Sequence, residues 1–217
     1  MQMKVPEDLI KKALWFACSA SSQTYERTAK SKEDPFFHLW RIFTGKLGEL
    51  YFAYFLKEHI PEFNLEEYET NALSIFWGKV NVDSYDLKIK NYLIDIKTLP
   101  FKTHRYLIIP ADQYINQPKD LYVCVRLVHD LKPDDIQNLF QINCVELYQL
   151  LTEKKFPVFD ININIEICGY IEHSSKMWKY VKKDNICHEK ECFRIDVKQL
   201  KSIDLFLRLF KTENGLL

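Results

Sequence analysis

Apolar residues recur at helical spacing at Leu9, Ile10, Ala13, Leu14 and Ala17, which predicts a helix over 6–20 with Pro6 in its first turn. The polar stretch 21–35 predicts a helix end and a loop closing at Pro35. Residues 36–58, FFHLWRIFTGKLGELYFAYFLKE, are apolar almost all round and predict a largely buried helix. Gly45 and Gly48 lie inside it, each costing about 1 kcal/mol against Ala. The expected compensation is close approach of another backbone, a sheet. Residues 61–82 predict irregular chain with one short strand, and 84–90 and 92–98 alternate like the two strands of a hairpin. RYLIIPA (105–111), LYVCVRLV (121–128), IEICGYIEH (165–173) and CFRIDV (192–197) predict further strands, the second apolar enough for a sheet centre. VELYQLL (145–151) and IDLFLRLF (203–210) predict helices. The order implies a mixed α/β domain with helices covering a central sheet.

The hairpin register follows from its turn. Lys90-Asn91 is the best central dipeptide, because Asn tolerates positive φ. A turn there sets Asp86 opposite Asp95 and Lys88 opposite Leu93. Leu87, Ile89, Ile94 and Ile96 then form the core face, while Asp86, Lys88, Leu93, Asp95 and Lys97 share the other. Opposed β-carbons lie about 4.5–5.5 Å apart, and like charges so placed repel. A hard divalent cation between them removes the repulsion, and Mg²⁺ is commonly held by one or two carboxylates with water and phosphate. Lys97, on the same face, can orient or deprotonate a water beside the metal, or neutralise charge on a phosphate. The competing reading is a solvated face on which Lys88 and Lys97 pair with the two aspartates. Glu49, inside the apolar helix, adds a further carboxylate that reaches this site if the glycine face packs on the sheet. Otherwise it fills a solvated gap in the apolar surface.

Composition narrows the class. The chain has 217 residues, 47% hydrophobic and 28% charged, which suits a sizeable core and excludes disorder or a fibrous repeat. Its 30 basic and 30 acidic residues cancel, so charge distribution rather than net charge bears on partners. The N-terminal pattern includes Glu7, Asp8, Lys11 and Lys12 and has no continuous apolar run, unlike a signal peptide. With no run of transmembrane length, the expectation is a cytoplasmic protein without membrane contact, its six cysteines free thiols.

GKLGELYFAYF (45–55), YDLKI (85–89) and LIDIKT (93–98), in this order, together resemble the PD-(D/E)XK nuclease superfamily. In that family a glutamate on a helix precedes a hairpin with an aspartate on its first strand and an acidic-x-Lys triplet on its second. The resemblance covers about residues 36–130. It implies a restriction-endonuclease-like core, a central mixed β-sheet flanked by helices. It also implies that Asp86, Asp95 and the Ile96 main-chain carbonyl bind Mg²⁺ (or Mn²⁺), that Lys97 assists the attacking water, and that Glu49 supports the metal site. Tyr85 stands where the family's nominal proline would be, and Asp83 is a rival to Asp86 that breaks the hairpin pairing.

The implied function is a Mg²⁺-dependent endonuclease acting on double-stranded DNA, most like a type II restriction enzyme and a homodimer, since one centre cuts one strand. The rivals are a structure-specific or defence nuclease acting on junctions, single strands or RNA, an inert nucleic-acid-binding module, and a non-nuclease protein with a solvated hairpin. GKL at 45–47 lacks the rest of a nucleotide-binding loop, so no nucleotide cofactor is expected. A single domain over 1–217 is expected, with a helical part to about 58, a catalytic sheet over about 75–130 and C-terminal strands and a helix over about 140–217. The DNA-contact candidates are Lys102, His104 and Arg105, then Ser174, Ser175, Lys176, Lys179, Lys182 and Lys183 around Trp178 and Tyr180. Lys30, Lys32 and Arg41 are weaker candidates, and Gln113 loosely resembles a glutamine that some relatives carry near the active centre, with a plain turn residue as the favoured reading. Cys187, His188 and Cys192 lack the fourth ligand and the spacing of a structural zinc site.

Overall fold

The computed structural model describes residues 2–28, 35–74, 85–130, 162–182 and 191–210. Its elements are β1 (Gln2–Lys4), α1 (Glu7–Thr28), α2 (Pro35–His59), α3 (Leu65–Ala72), β2 (Leu87–Ile89), β3 (Tyr92–Leu99), β4 (Tyr106–Pro110), α4 (Ala111–Asn116), β5 (Leu121–Val128), β6 (Asn164–Glu172), β7 (Lys179–Val181), β8 (Cys192–Asp196), a 3₁₀ turn (Val197–Gln199) and α5 (Ile203–Phe210). The expected helix 145–151 lies outside the described residues, as do Lys30, Lys32, Asp83, Lys183, Cys187 and His188.

The architecture is mixed α/β, with a mixed central sheet flanked by helices. Its five strands run in the order β1-β6-β5-β3-β2, and β5 is central, in keeping with a run that is apolar but for Arg126. β3 and β5 are parallel and their other neighbours antiparallel. A parallel pair needs a crossover. Here β4 and α4 lie on it, and β4 joins β8 and β7 in a second, three-stranded sheet. One face of the central sheet packs against α1, α2 and α5, through residues such as Leu14, Phe52, Ile94, Val123 and Phe206. The opposite face packs against the second sheet through Leu99, Tyr122, Cys124, Leu107 and Ile195.

Two glycines set close approaches. A β-carbon on Gly48 would lie 2.0 Å from Thr98 Oγ1, so α2 rests on β3 at a distance that no larger residue permits. Gly45, expected to do the same, meets nothing within 4 Å and plays no such part. Gly169 has φ +135° where β6 slips register against β5, and a β-carbon there would meet the Lys201 carbonyl oxygen at 2.3 Å.

Several local expectations are corrected. α1 continues to Thr28 rather than ending near residue 20. Residues 65–72 form α3 rather than irregular chain, and 75–82 of the stretch expected to hold a short strand lie outside the described residues. The signal of α3 is a capping box: Asn64 Oδ1 accepts from the Glu67 amide at 3.2 Å, and Glu67 is the acid three positions on. β1, β7 and α4 were not foreseen; β1 and β7 are too short to show a period. Gln113 lies exposed in α4. Cys18, Cys124 and Cys168 are free thiols, whereas Cys192, also expected to be free, is disulfide-bonded. Among the described residues, no helix is long and apolar enough to cross a membrane.

Candidate functional site

β2 and β3 pair as Leu87–Ile94, Lys88–Leu93 and Ile89–Tyr92, the register derived from the turn. The positive φ falls on Lys90 (52°), not on Asn91. Leu87, Ile89, Ile94 and Ile96 are all buried, as the alternation requires. Asp86 lies just before β2 and continues the same register towards Asp95. Its amide donates to the Ile94 carbonyl at 3.1 Å, and its Oδ2 accepts from the Ile96 amide at 2.6 Å. The aspartate side chain therefore takes over the ladder where β2 ends.

Asp95 and Lys97 project from β3 to one side. Asp95 is only 9% exposed, so this face is not the solvated one of the competing reading. Lys97 Nζ donates to Asp95 Oδ1 at 3.1 Å and lies 2.8 Å from Oδ2. The second contact is an ion pair without hydrogen-bond alignment, and Oδ2 is a buried oxygen that receives no hydrogen bond. Lys88 is exposed.

Glu49 faces the same cluster from α2, one residue beyond the glycine that lets the helix approach β3. Its carboxylate is near enough to act on Asp86, Lys97 and Tyr68. Its direct partner is Lys46, at 2.5 Å, whose ammonium also lies 4.4 Å from the centre of the Phe16 ring. Burial, then the Glu49 and Asp95 carboxylates, pushes the Asp86 carboxyl well above its ordinary range; Lys97 and the Ile96 amide pull down without compensating. For Lys97 burial works downward, but Asp95, Asp86 and Glu49 outweigh it and raise the pKa, so the side chain remains an ammonium.

Sequence reasoning missed Tyr68 and Lys46. Tyr68 stands on α3, which a 2.8 Å Lys12–Glu69 ion pair ties to α1. Its hydroxyl is buried and has no hydrogen-bond partner. Burial first, then Glu49, Asp86 and Glu69, raises its pKa well above the phenol range, so it keeps its proton. With Asp86 it lines a cavity of about 740 Å³ between α3 and the β2 edge. Nothing in the segment's composition marks that tyrosine, because its neighbours come from distant parts of the chain.

Asp86, Asp95 and Glu49 are carboxylates that one divalent ion would relieve, and Asp95 Oδ2, which takes no hydrogen bond, is offset only by the Lys97 ammonium 2.8 Å away. Yet among the described residues no three His, Cys, Asp or Glu side chains converge as a ready metal site. The fit is to an ion held by two carboxylates and completed by main-chain, water or substrate oxygen, the usual habit of Mg²⁺.

The DNA-contact candidates are scattered. Lys102 pairs with Asp130 at 3.1 Å. His104 is held below its ordinary pKa by burial and by Arg126, so it is neutral at pH 7. Arg105 pairs with Asp196 at 2.5 Å, and with Lys179 it lines a second cavity on the small sheet. Ser174, Lys176 and Lys182 are exposed, and Ser175 Oγ accepts from the Met177 amide at 3.3 Å. Trp178 packs beneath them, its indole donating to the Glu172 carbonyl at 3.1 Å. Comparison with protein-family models, with curated proteins and with solved structures gave no match.

Proposed function

We propose that this protein is a Mg²⁺-dependent endonuclease with a restriction-endonuclease-like core that hydrolyses phosphodiester bonds in double-stranded DNA. The observation that carries the reading is the cluster of Glu49, Asp86, Asp95 and Lys97, in which each group bears on its neighbours and Asp95 keeps a buried oxygen without a hydrogen bond. Asp86, Asp95 and the Ile96 main-chain carbonyl would hold the ion, with Glu49 in support. Bound there, Mg²⁺ would polarise the phosphoryl oxygen and lower the pKa of a water.

The chain's own groups have separate tasks. Lys97, kept as an ammonium, works as a donor and a positive charge rather than as a base. It orients the attacking water and offsets negative charge gathering on the phosphoryl oxygens. Asp86, whose Oδ2 already accepts from the Ile96 amide, is held in place by β3 itself. Tyr68 lies close enough to Glu49 and Asp86 for their charges to act on it, though its hydroxyl bonds to neither; it would serve them as a positioning residue only by turning toward one of them when the ion is bound. Cutting both strands would require two such centres, which a homodimer would supply.

The test is incubation of long, sequence-diverse duplex DNA with Mg²⁺ or with EDTA, beside Asp95→Ala and Lys97→Ala. Metal-dependent cleavage abolished in both variants is the expected result, with discrete bands for a site-specific enzyme and a smear for a non-specific one. The absence of three converging metal-ligating side chains among the described residues favours one rival, an inert nucleic-acid-binding module. Binding without cleavage of any duplex, single-stranded, branched or RNA substrate would replace the nuclease reading with that one.

A further inference from the structure

The chain also gathers cations away from the acidic cluster. On the small sheet, Leu107 and Ile195 point into the core, so Tyr106 and Arg194, one position away on each strand, point outward. Lys179 on β7 stands opposite Arg194. With Arg105, Asp196 and Lys198 these residues line a cavity of about 350 Å³. Among the described residues the lining holds Arg105, Lys179, Arg194 and Lys198 with one carboxylate, Asp196, on a chain whose 30 basic and 30 acidic residues cancel.

The cations are held in position. The Arg194 and Arg105 guanidinium carbons lie 4.9 and 5.6 Å from the Tyr106 ring centre. Asp196 grips Arg105 at 2.5 Å and caps the 3₁₀ turn through the Lys198 amide at 3.0 Å. The carboxylate thus fixes the geometry of two neighbours.

The small sheet also lies on the relevant side. Asp95 and Lys97 stand beside Tyr122 and Cys124 in register, and partners across a sheet project to the same face. Tyr122 and Cys124 belong to the core beneath the small sheet. Asp95 and Lys97 and the small sheet thus lie on the same side of the central sheet.

We propose that the cavity lined by Arg105, Lys179, Arg194 and Lys198 is a contact for the phosphate backbone of nucleic acid, with Arg194 and Lys198 as contacts beyond those expected from sequence. The choice of nucleic acid among polyanions rests on the nuclease reading. Cations spread around a concavity suit successive phosphates better than one small anion.

The experiment measures binding of a labelled mixed-sequence duplex by fluorescence anisotropy, in EDTA, over a range of salt concentrations. Arg194→Gln, Lys198→Gln and the double variant are compared with wild type, each checked by circular dichroism and melting temperature. Lys11→Gln, on α1, is the control. Removing one cation that neutralises a phosphate lowers the steepness of log K against log salt by about 0.9. The single variants should show that decrease and the double about twice it, with binding weakened alike for unrelated sequences, and the control should be unchanged.

Unchanged slopes in folded variants, or no duplex binding by wild type at low salt, overturn the proposal. So does binding to vesicles rich in phosphatidylserine that depends on Arg194 and Lys198 while duplex binding does not. Because the readout needs no metal, it separates from the nuclease reading. Cleavage with unchanged slopes rejects this interface alone; lowered slopes without cleavage keep the interface and reject the nuclease.

Discussion

At Asp86, burial and two neighbouring carboxylates oppose ionisation, and the Ile96 amide and Lys97 do not fully offset them. A carboxyl whose folded-state pKa exceeds its unfolded value keeps a proton that the unfolded chain has released. Between the two values the folded state binds more protons, so stability falls as pH rises through that window. Asp86→Asn removes the charge while its amide oxygen still accepts from Ile96. In EDTA at pH 8 it should melt at a higher temperature than wild type, with the difference shrinking toward acid pH; a lower melting temperature at pH 8 would refute the assignment. On the nuclease reading, the same variant should no longer cleave DNA with Mg²⁺. Tyr68→Phe removes a buried hydroxyl that has no partner, so the metal-free melting temperature should hold or rise slightly. Its Mg²⁺ affinity, followed by calorimetry, should fall at least about tenfold if the phenol serves the carboxylates. Unchanged affinity would make it a packing residue only.

The elements were legible where their period was long. α2, β3, β5, β6, β8 and α5 lie within a few residues of their expected bounds. The hairpin register followed from a turn dipeptide and the alternation of Leu87, Ile89, Ile94 and Ile96. α3 was missed because it is short and its inner face, Leu65, Tyr68 and Ala72, is only half-buried, so the Asn64 cap was its clearest mark. At Gly48 a property read from sequence, the cost of glycine in a buried helix, becomes a distance. Gly48→Ala drives a methyl against Thr98 and should destabilise by about 1–3 kcal/mol in urea unfolding. Thr98 Oγ1 is buried without a hydrogen bond, so Thr98→Ala removes the obstacle without breaking one. The double variant should therefore lose less than the sum of the singles; strict additivity would place the strain elsewhere. Because Glu49 follows Gly48, cleavage should fall with the single variant and recover in part with the pair.

On the scale of the whole molecule, cation binding at the acidic cluster should stabilise the fold by mass action. At free Mg²⁺ of 100 times Kd the gain is about 2.7 kcal/mol for one site. Thermal denaturation of wild type should show a Mg²⁺-dependent rise that Asp95→Asn lacks; an equal rise in both would place the ion elsewhere. Sequence alone determined the α/β class, the core faces of the hairpin and the opposition of Asp86 and Asp95, because alternation and helical spacing are local and a single turn sets the register. Tertiary structure decided the rest. It brought Tyr68 and Lys46 to the cluster and kept Lys97 an ammonium. It also split the strands into two sheets, with Arg105, Lys179, Arg194 and Lys198 around one cavity. The physical reason is the same in each case. Burial and Coulomb interactions depend on distances between residues far apart in the chain, and no local period encodes those distances.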